Sequence, residues 1–427
     1  MQTSDLLIIG AGPGGYETAV RAAAKGLNVT LIERDELGGT CLNRGCIPTK
    51  TLCRSAEVAD LMRQAEYFGV RGSFDGVDYA AVCRRKDQVV GALREGVASL
   101  LRPVNVVQGE GVFTAPDIVE VNGEKYTAPR IIVATGSRPA SLPIPGAEHA
   151  IDSDRFLELK ELPARVTVIG GGVVGMEFAH VLNSFGVEVT VIEACPEILP
   201  PFDKDIAKRL RMSLKRRGIN FLTDARVREI AADRTVIVET KGKEKMVMGE
   251  MVLMAVGRRP VVPTGLEKFV ALTPRGFVET DDEMRCRLLV PCDVDLRAIG
   301  DVNGRCMLAH AASAQGDVVL GEHRDLSVIP SAVFTSPECA MVGLTERECE
   351  GRDIRVVTST FHSNGKAVAM GEPEGLVKKI YDAVTGKLLG CHIMGPHASD
   401  LIIEPTAQLS SCAPIHPHPT LSEVLGS

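Results

Sequence analysis

Two cysteines, Cys41 and Cys46, lie five residues apart in the segment GGTCLNRGCIPTK. Thiols at this spacing can bind a metal, form a structural disulfide or exchange electrons as a redox pair. Zinc needs about four ligands, and no second cysteine or histidine pair follows at ligand spacing, so we expect no metal. A structural disulfide across so short a loop would add little stability, because it restricts few unfolded conformations. The pattern therefore favours a redox pair.

The backbone between the two cysteines cannot be a regular helix. Five helical residues rise by about 7.5 Å, whereas the Cα atoms of a disulfide lie about 4.4–6.8 Å apart. Pro48 has no amide hydrogen for the carbonyl of Arg44, which relaxes that turn, and Gly38, Gly39 and Gly45 permit unusual backbone angles. The segment is therefore predicted to be the distorted start of a helix. A helix N-terminus also favours the thiolate, which is the nucleophilic form of cysteine.

A glycine loop occurs twice, as GAGPGG at Gly10–Gly15 and as GGGVVG at Gly170–Gly175. Each loop lies between an apolar run and a helical pattern, and a second apolar run then ends in an acid. These acids, Glu33 and Glu193, both lie 18 residues after the last glycine (33 − 15 and 193 − 175). In a βαβ unit, such a loop brings a pyrophosphate to a helix N-terminus, and the acid binds ribose hydroxyls. The sequence therefore predicts two dinucleotide-binding units.

The residues beside each acid bear on the choice of nucleotide. Glu193 would repel a 2′-phosphate, and Ala194 and Cys195 provide no arginine to bind one, so the second unit favours NAD over NADP. In the first unit, Arg34 follows Glu33 and leaves the choice open.

The composition is that of a soluble globular protein, with 45% hydrophobic residues, 24% charged residues and a net charge of -7 over 427 residues. The sequence has no cluster of basic residues of the kind that indicates nucleic-acid binding. The apolar run at residues 6–9 is too short for a signal peptide, and no 18-residue apolar stretch could span a membrane. We therefore expect a cytoplasmic protein in which the other thiols stay reduced.

The expected fold class is α/β, with two Rossmann-like dinucleotide-binding domains and a C-terminal α+β domain that contains an antiparallel sheet. After Ile329, runs such as IRVVTSTFH and GKLLGCHIMG have the pattern of antiparallel strands. The predicted ranges are residues 1–143 together with 265–328 for the first nucleotide domain, 144–264 for the second, and 329–427 for the C-terminal domain.

The chain resembles the pyridine nucleotide–disulfide oxidoreductases, and within them the dihydrolipoamide dehydrogenases. The resemblance covers nearly the whole length and rests on CLNRGCIPTK, ATGSRP, GGGVVGMEFA, AVGRRP, AIGDVNGRCMLAHAASAQG, TSPECAMVGLTE and HPHPTLSE. It implies that the first unit binds FAD, that the second binds NAD, and that the C-terminal domain forms a homodimer. The implied reaction oxidises protein-bound dihydrolipoamide through a Cys41–Cys46 disulfide and FAD, and reduces NAD to NADH. The implied partners are lipoylated subunits of 2-oxo acid dehydrogenase or glycine-cleavage complexes.

The resemblance also implies roles for individual residues. Cys46 is the cysteine next to the flavin, and Cys41 is the outer cysteine that exchanges with the dithiol. Lys50 lies near the flavin ring, with Glu177 as its ion-pair partner. Besides Lys50, the residues implied to bind FAD are Gly10, Gly12, Pro13, Gly14, Gly15, Glu33, Arg34, Gly39, Thr40, Gly111, Ala134, Thr135, Gly136, Ser137, Asp301, Met307, Leu308, Ala309 and His310. Those implied to bind NAD are Gly170, Gly172, Val173, Val174, Gly175, Glu177, Glu193, Val227 and Gly257.

The motif HPHPTLSE places His418 five residues before Glu423. Histidine is the natural base for a thiol near neutral pH, and a carboxylate on its other ring nitrogen would fix the tautomer. From the spacing alone, a surface histidine in a proline-rich tail is the simpler interpretation. The resemblance instead implies that His418 is the catalytic base, oriented by Glu423, and that both act on the flavin and disulfide of the other subunit.

Two stretches are shorter than in the family, GDVVLGEHRDLSVIPSAVF and HASDLIIEPTAQLSSCAPIHPHPT. Pro405 in the second is expected to break the helix that the family has there. The alternatives are a related reductase of another disulfide or of a metal ion, and a flavoprotein component of a multienzyme complex with impaired catalysis.

Overall fold

The computed structural model describes residues 1–426. Its helices are α1 (Pro13–Ala24), α2 (Gly39–Arg44), α3 (Cys46–Arg63), α4 (Tyr79–Leu100), α5 (Ser153–Leu157), α6 (Val173–Ser184), α7 (Lys204–Arg216), α8 (Ala309–Val319), α9 (Gly365–Ala369), α10 (Ala398–Leu401) and α11 (Ile403–Leu409).

The strands lie singly and in runs between these helices. They are β1 (Gln2–Thr3), β2 (Leu6–Ile9), β3 (Val29–Glu33), β4 (Asn105–Gln108), β5 (Val112–Ala115), β6 (Ile118–Val121), β7 (Glu124–Thr127), β8 (Arg130–Val133), β9 (Ser137–Pro139), β10 (Arg165–Ile169), β11 (Glu188–Ile192), β12 (Asn220–Leu222), β13 (Ala225–Ile230), β14 (Val236–Thr240), β15 (Lys243–Val247), β16 (Met251–Met254), β17 (Arg258–Pro260), β18 (Asp295–Ala298), β19 (Ser331–Val333), β20 (Glu338–Gly343), β21 (Ile354–Thr360), β22 (Leu376–Asp382) and β23 (Leu388–Gly395).

Contacts within the chain divide it into two compact units. The first comprises Met1–Ile47, Gln88–Arg138 and Arg258–Leu326, and the second comprises Pro48–Asp87, Pro139–Gly257 and the chain from Ser327 onward. The three domain ranges drawn from the sequence stay predictions, because this grouping assigns no role to a range.

In the first unit, a parallel sheet has the strand order β18-β8-β2-β3-β4. All four residues of β2 are buried, which is typical of a parallel strand covered on both faces. Leu6 and Ile8 belong to one core cluster, with Ala19 of α1, while Leu7 and Ile9 belong to another. This sheet therefore holds the first glycine loop at the end of β2.

In the second unit, β12-β11-β10-β16 form another parallel sheet, and β13-β14-β15 form an antiparallel one. Ile169 pairs with Ile192, and the amide of Gly170 then donates to the carbonyl of Ile192 at 2.8 Å. The amide of Gly10 makes the same bond to the carbonyl of Ile32, also at 2.8 Å. The two predicted Rossmann-like units therefore repeat each other down to single hydrogen bonds.

The C-terminal strands form an antiparallel sheet in the order β19-β20-β23-β22-β21. This confirms the predicted fold class. The expectation for Pro405 is confirmed, because the helical passage is interrupted at Ile402, between α10 and α11, and Pro405 is the third residue of α11. Amides in the first turn have no partner within the helix, so proline costs little there.

None of the helices within residues 1–426 is both long and apolar enough to cross a bilayer.

Candidate functional site

The helix carrying the cysteines is interrupted at Gly45, between α2 and α3. A Cβ atom on Gly45 would lie 2.8 Å from the carbonyl oxygen of Thr40 and 3.3 Å from the Cα of Cys41. Only glycine therefore lets the chain fold back this closely. The Sγ atoms of Cys41 and Cys46 lie within 4.8 Å of each other. The predicted distortion is confirmed, and it brings the two sulfurs close enough for redox chemistry after a small movement.

The start of α2 packs against the first glycine loop. The amide of Gly38 donates to the carbonyl of Ala11 at 2.9 Å. Gly39 has a φ of +58°, and a Cβ on it would lie 2.7 Å from the Cα of Gly12. Gly39 is therefore needed for this approach, which ties the segment containing Cys41 to the loop that is expected to hold a nucleotide.

In the first glycine loop, the three motif glycines have different roles. A Cβ on Gly10 would lie 2.4 Å from the carbonyl oxygen of Ala134, and one on Gly15 would lie 1.8 Å from that of Gly10. A Cβ on Gly12 would meet nothing within 4 Å. Gly10 and Gly15 are therefore required by the fold, whereas Gly12 leaves open space beside the backbone.

That open space lies at the N-terminus of α1, whose N-cap Gly12 provides no side-chain hydrogen bond. An uncapped helix N-terminus attracts the phosphates of a nucleotide. Glu33 closes the loop, since its Oε2 accepts from the amide of Ala11 at 2.6 Å and its Oε1 from that of Asp35 at 2.8 Å. Pro13 and Gly14 lie in the first turn of α1. These features fit a dinucleotide such as FAD.

The second glycine loop has the same construction. A Cβ on Gly175 would lie 2.0 Å from the carbonyl oxygen of Gly170, while one on Gly172 would meet nothing within 4 Å. Glu193 Oε2 accepts from the amide of Gly171 at 2.6 Å, and its Oε1 accepts from that of Cys195 at 2.7 Å. Val173 and Val174 begin α6, which again has no side-chain cap. This loop therefore also fits a dinucleotide.

Asp301 lies in a 3-10 turn at Gly300–Asn303, in the first unit. Ser137 Oγ donates to Asp301 Oδ2 at 2.5 Å, and Arg258 Nε donates to Ser137 Oγ at 2.7 Å. Burial raises the pKa of Asp301, although Ser137 and Arg258 oppose that shift. Arg258 was missed as a site residue, although its motif AVGRRP was among the family motifs. It connects the turn at Ser137 with Asp301.

The other residues predicted for the first nucleotide are spread over several places in the first unit. Ala134, Thr135 and Gly136 follow β8, and Thr40 lies in α2. Leu308 is the N-cap of α8, between Met307 and the helix residues Ala309 and His310. Arg34 forms an exposed ion pair with Glu110 at 3.7 Å. A Cβ on Gly111 would lie 3.1 Å from Val119 and 3.3 Å from Ile9, so the space around it is filled by the core.

In the second unit, Lys50 on α3 binds Glu177 on α6. Lys50 Nζ donates to both carboxylate oxygens of Glu177 at 3.0 Å, and the Glu177 side chain is 4% exposed. The amide of Phe334 also donates to Glu177 Oε1 at 3.0 Å, and the Phe334 ring centre lies 4.6 Å from Lys50 Nζ. The predicted pair is therefore formed, with Phe334 as a third member that the sequence did not reveal. Val227 lies in β13, and Gly257 follows β16 with a φ of +103°.

His418 and Glu423 are also brought together in the second unit. His418 Nδ1 lies 2.8 Å from Glu423 Oε1. Glu423 Oε2 accepts from the amide of Thr420 at 2.8 Å, as part of a capping box at Leu421–Leu425. The carboxylate is thus held by the backbone and favours the tautomer with the proton on Nδ1. In that tautomer, Nε2 carries the lone pair that a base requires.

Comparison with known proteins agrees with this geometry. Residues 4–316 match the pyridine nucleotide-disulphide oxidoreductase family, and residues 329–427 match the dimerisation domain of that family. A dihydrolipoyl dehydrogenase from Bacillus subtilis is 37% identical over 99% of this chain and 96% of its own length. A dihydrolipoyl dehydrogenase from Thermus scotoductus is 40% identical over 100% of this chain and 96% of its own length. The HOCl-induced flavoprotein disulfide reductase RclA from Escherichia coli has a TM-score of 0.81 and 29% identity, covering 99% of this chain and 98% of its own. The chain belongs to the pyridine nucleotide–disulphide oxidoreductase family.

Proposed function

We propose that this protein is an FAD- and NAD-dependent dihydrolipoamide dehydrogenase. The observation that carries the proposal is the pair of sulfurs within 4.8 Å of each other, on a helix start that packs against the first glycine loop. The dihydrolipoyl dehydrogenases that match the chain at 37–40% identity over nearly its full length support the choice of substrate.

FAD would be held by the first glycine loop, Glu33, the turn at Ala134–Ser137 and the region of Asp301, and NAD by the second glycine loop and Glu193. When bound, the flavin supplies a centre that accepts two electrons from a dithiol and gives them to a nicotinamide. The chain's contribution is to bind the two nucleotides and to provide the thiols and the base.

The step carried out by the chain's own residues is thiol–disulfide exchange. One thiolate of dihydrolipoamide attacks Cys41 Sγ, so that a new S–S bond forms and the Cys41–Cys46 bond breaks with Cys46 leaving as thiolate. The second substrate thiol then attacks the substrate sulfur of this mixed disulfide and releases Cys41. The substrate leaves as the cyclic disulfide, and the two cysteines hold its two electrons. His418 Nε2 accepts the proton of the first attacking thiol. The proton of the second thiol passes to Cys41 as Cys41 leaves, and Cys46 stays a thiolate.

Two carboxylates support this chemistry. Glu423 holds the His418 ring and stabilises its protonated form, while Glu177 fixes the ammonium of Lys50. Lys50 lies one helical turn after Cys46 on α3, and a positive charge at that distance favours the thiolate.

We propose that the protein works as a homodimer in which His418 serves the disulfide of the other copy, as the resemblance implies. The match of residues 329–427 to the dimerisation domain supports this assembly. Its macromolecular partners would be lipoylated subunits of 2-oxo acid dehydrogenase or glycine-cleavage complexes. Gel filtration of the purified holoprotein is expected to give a dimer, and a clean monomer would contradict the shared site.

The direct test is NADH formation from dihydrolipoamide and NAD by the purified protein, with the flavin spectrum recorded on the same sample. Turnover would establish the substrate. Bound flavin without turnover would contradict the proposed activity and favour another disulfide substrate.

Gly172→Ala is expected to raise the KM for NAD about 10-fold to 100-fold, equivalent to losing one charge-assisted hydrogen bond of about 1.5–3 kcal/mol. The added methyl enters the open space beside α6 that a pyrophosphate needs, so the fold should tolerate it. Steady-state kinetics at varied NAD will measure the effect.

The matched control is Gly12→Ala, which makes the same change in the first glycine loop. It should weaken flavin retention and leave the KM for NAD unchanged. An unchanged KM in Gly172→Ala would exclude the second loop as the NAD site.

His418→Gln is expected to lower dihydrolipoamide oxidation about 10²-fold to 10⁴-fold, the range for loss of a general base. Reduction of a dye by NADH needs no thiol deprotonation and should continue at the wild-type rate. The control is His416→Gln, two residues away in the same motif, which should leave both rates unchanged. Full dithiol turnover in His418→Gln would remove His418 from the mechanism.

A further inference from the structure

A second group of polar side chains connects α3 with α6, at a distance from Lys50. This distal cluster consists of Asp60 on α3, Ser184 at the end of α6, Arg217 just after α7 and Ser336 in the turn before β20. Ser184 Oγ donates to Asp60 Oδ2 at 2.9 Å, and the guanidinium of Arg217 donates to the same carboxylate oxygen. Arg217 Nη1 also donates to the carbonyl of Ser336 at 2.9 Å.

The distal cluster joins the same three segments as the Lys50 site. At that site, Lys50 of α3 binds Glu177 of α6, and Phe334 of the chain around β19 donates to Glu177. In the distal cluster, α3, α6 and that same stretch of chain meet again, with Arg217 as the connecting side chain. Each of these three segments therefore takes part in two polar contacts, one at the Lys50 site and one in the distal cluster.

The spacing of the two contacts makes them effective. Lys50 and Asp60 are ten residues apart, about 15 Å along α3, and Glu177 and Ser184 are seven residues apart, about 10 Å along α6. The two helices therefore run in the same direction, with one polar contact near each end of their shared length. One contact alone would let α3 rotate about it relative to α6. Two contacts fix both the angle between the two helices and their relative position along the helix axes.

The apolar packing between these contacts is less directional than the polar contacts. Leu52, Cys53 and Ala56 of α3 share a buried cluster with Met176 and Ala179 of α6. Burial of apolar area is non-directional, so it favours contact between α3 and α6 without selecting one geometry. Directional bonds between charged groups are stronger and more specific in geometry.

The distal cluster pairs the Asp60 carboxylate with more than one cation. Asp60 lies between two arginines, since its Oδ1 also accepts from Arg63 at 2.9 Å. His180 is buried beside the cluster, and burial together with the charge of Arg217 lowers the pKa of His180 to about 4. His180 is therefore neutral and adds no competing cation.

We propose that Asp60, Ser184, Arg217 and Ser336 position α3 against α6 so that the Lys50 ammonium, one helical turn after Cys46, stays on Glu177. The distal cluster acts through Lys50 and touches no reacting atom, so its members are positioning residues. This inference rests on the proposed function for the role of Cys46 and Lys50.

Arg217→Gln is expected to lower kcat for dihydrolipoamide about 10-fold to 100-fold, the cost of a small misplacement of a reacting group, with little change in KM. Arg217→Lys keeps the charge without the planar fork and should recover part of the loss. In combination with Lys50→Gln, Arg217→Gln should add no further loss, because both changes act through one group. Additive losses would overturn the proposal.

The matched control is Arg211→Gln on α7. Arg211 and Glu197 have side chains 25% and 22% exposed, close to the 27% and 15% of Arg217 and Asp60, and this pair includes no residue of α3 or α6. The control should keep wild-type kcat, although it loses a similar ion pair. An equal loss of kcat in Arg211→Gln would show a general effect on stability and overturn the proposal.

An experiment that uses no dihydrolipoamide tests this inference independently of the proposed function. In a Cys41→Ser background, the rate at which iodoacetamide alkylates Cys46 is followed against pH. Arg217→Gln should move the apparent pKa of Cys46 upward, in the same direction as Lys50→Gln, and Arg211→Gln should leave it unchanged. An unmoved titration in Arg217→Gln would overturn the positioning role, even if dihydrolipoamide proves to be the wrong substrate.

Discussion

Cys46→Ser is expected to abolish NADH formation from dihydrolipoamide while the protein keeps its FAD and yellow colour. Serine is close to cysteine in size, so the backbone at the Gly45 interruption should be preserved, but a hydroxyl cannot form a disulfide with Cys41. Reduction of a dye by NADH uses only the two nucleotides and should persist. The measurements are both turnover rates and the flavin absorbance of the purified protein.

The control is Cys53→Ala, two turns further along α3. Burial raises the pKa of Cys53 well above its usual value, with the charge of Glu177 adding to the shift, so this thiol is inert. Its replacement should leave dithiol turnover intact. Colourless Cys46→Ser protein would show that Cys46 is needed for folding, and wild-type turnover would contradict the redox pair.

The two single-cysteine variants also test which sulfur meets the substrate. A protein thiolate that attacks lipoamide breaks the ring S–S bond, forms a mixed disulfide and leaves the other sulfur as a thiolate. By the proposed roles, Cys41 in the Cys46→Ser variant should form this adduct faster than Cys46 in Cys41→Ser. Mass spectrometry of the intact protein will measure both rates, and the reverse order would exchange the two roles.

Lys378→Met is expected to lower the free energy of unfolding by about 3–5 kcal/mol, the cost of removing one partner from a buried ion pair. Lys378 on β22 is 3% exposed and donates to both oxygens of Asp203, at 2.9 and 3.0 Å, whose side chain is 1% exposed. It also donates to Asp205 at 2.7 Å and to Glu346 at 2.5 Å. Urea unfolding followed by circular dichroism will measure the loss.

This loss should depend on pH in a defined direction. Burial would raise the pKa of Asp203, but the hydrogen bond from Lys378 lowers it below its ordinary value. A lowered carboxyl pKa stabilises the fold above the unfolded-state value, and that contribution is lost as the pH falls through the folded-state value. In Lys378→Met, Asp203 instead stays buried without its cation, so its pKa should rise. The deficit should therefore be largest at neutral pH and shrink towards pH 4.

A double variant tests whether the unpaired charge causes the loss, and a variant of an exposed ion pair serves as the control. Lys378→Met with Asp203→Asn removes both charges and should recover part of the stability. Arg228→Met breaks the exposed Arg228–Glu239 pair and should cost less than about 1 kcal/mol. A deficit that is the same at pH 4 and pH 7 would contradict an unpaired Asp203 as its cause.

Features fixed by local backbone chemistry could be predicted from the sequence. The glycine loops are recognisable because their steric demands lie within a few residues, as the contact distances at Gly10 and Gly15 show. The interruption before Cys46 follows from the geometry of a disulfide alone. The pairing of His418 with Glu423 was predicted only through the family resemblance, because the spacing of five residues alone favoured a surface histidine.

Contacts between distant segments could not be predicted in this way. Lys378 lies 175 residues from Asp203, and Arg217 lies 157 residues from Asp60. No local pattern distinguishes these charges from solvated ones, because burial of a lysine is decided by the packing of whole elements. The break near Pro405 could be predicted, in contrast, because the missing amide of proline acts within one turn of the helix.

The carboxylates of Glu33 and Glu193 fasten their loops before any nucleotide arrives. Each oxygen already accepts a backbone amide, and each still has a second lone pair for a ribose hydroxyl. The conformational entropy of the loops is therefore lost when the chain folds, and not when a nucleotide binds. By the proposed function, both nucleotides therefore enter cradles that are already ordered, so little loop entropy is lost on binding.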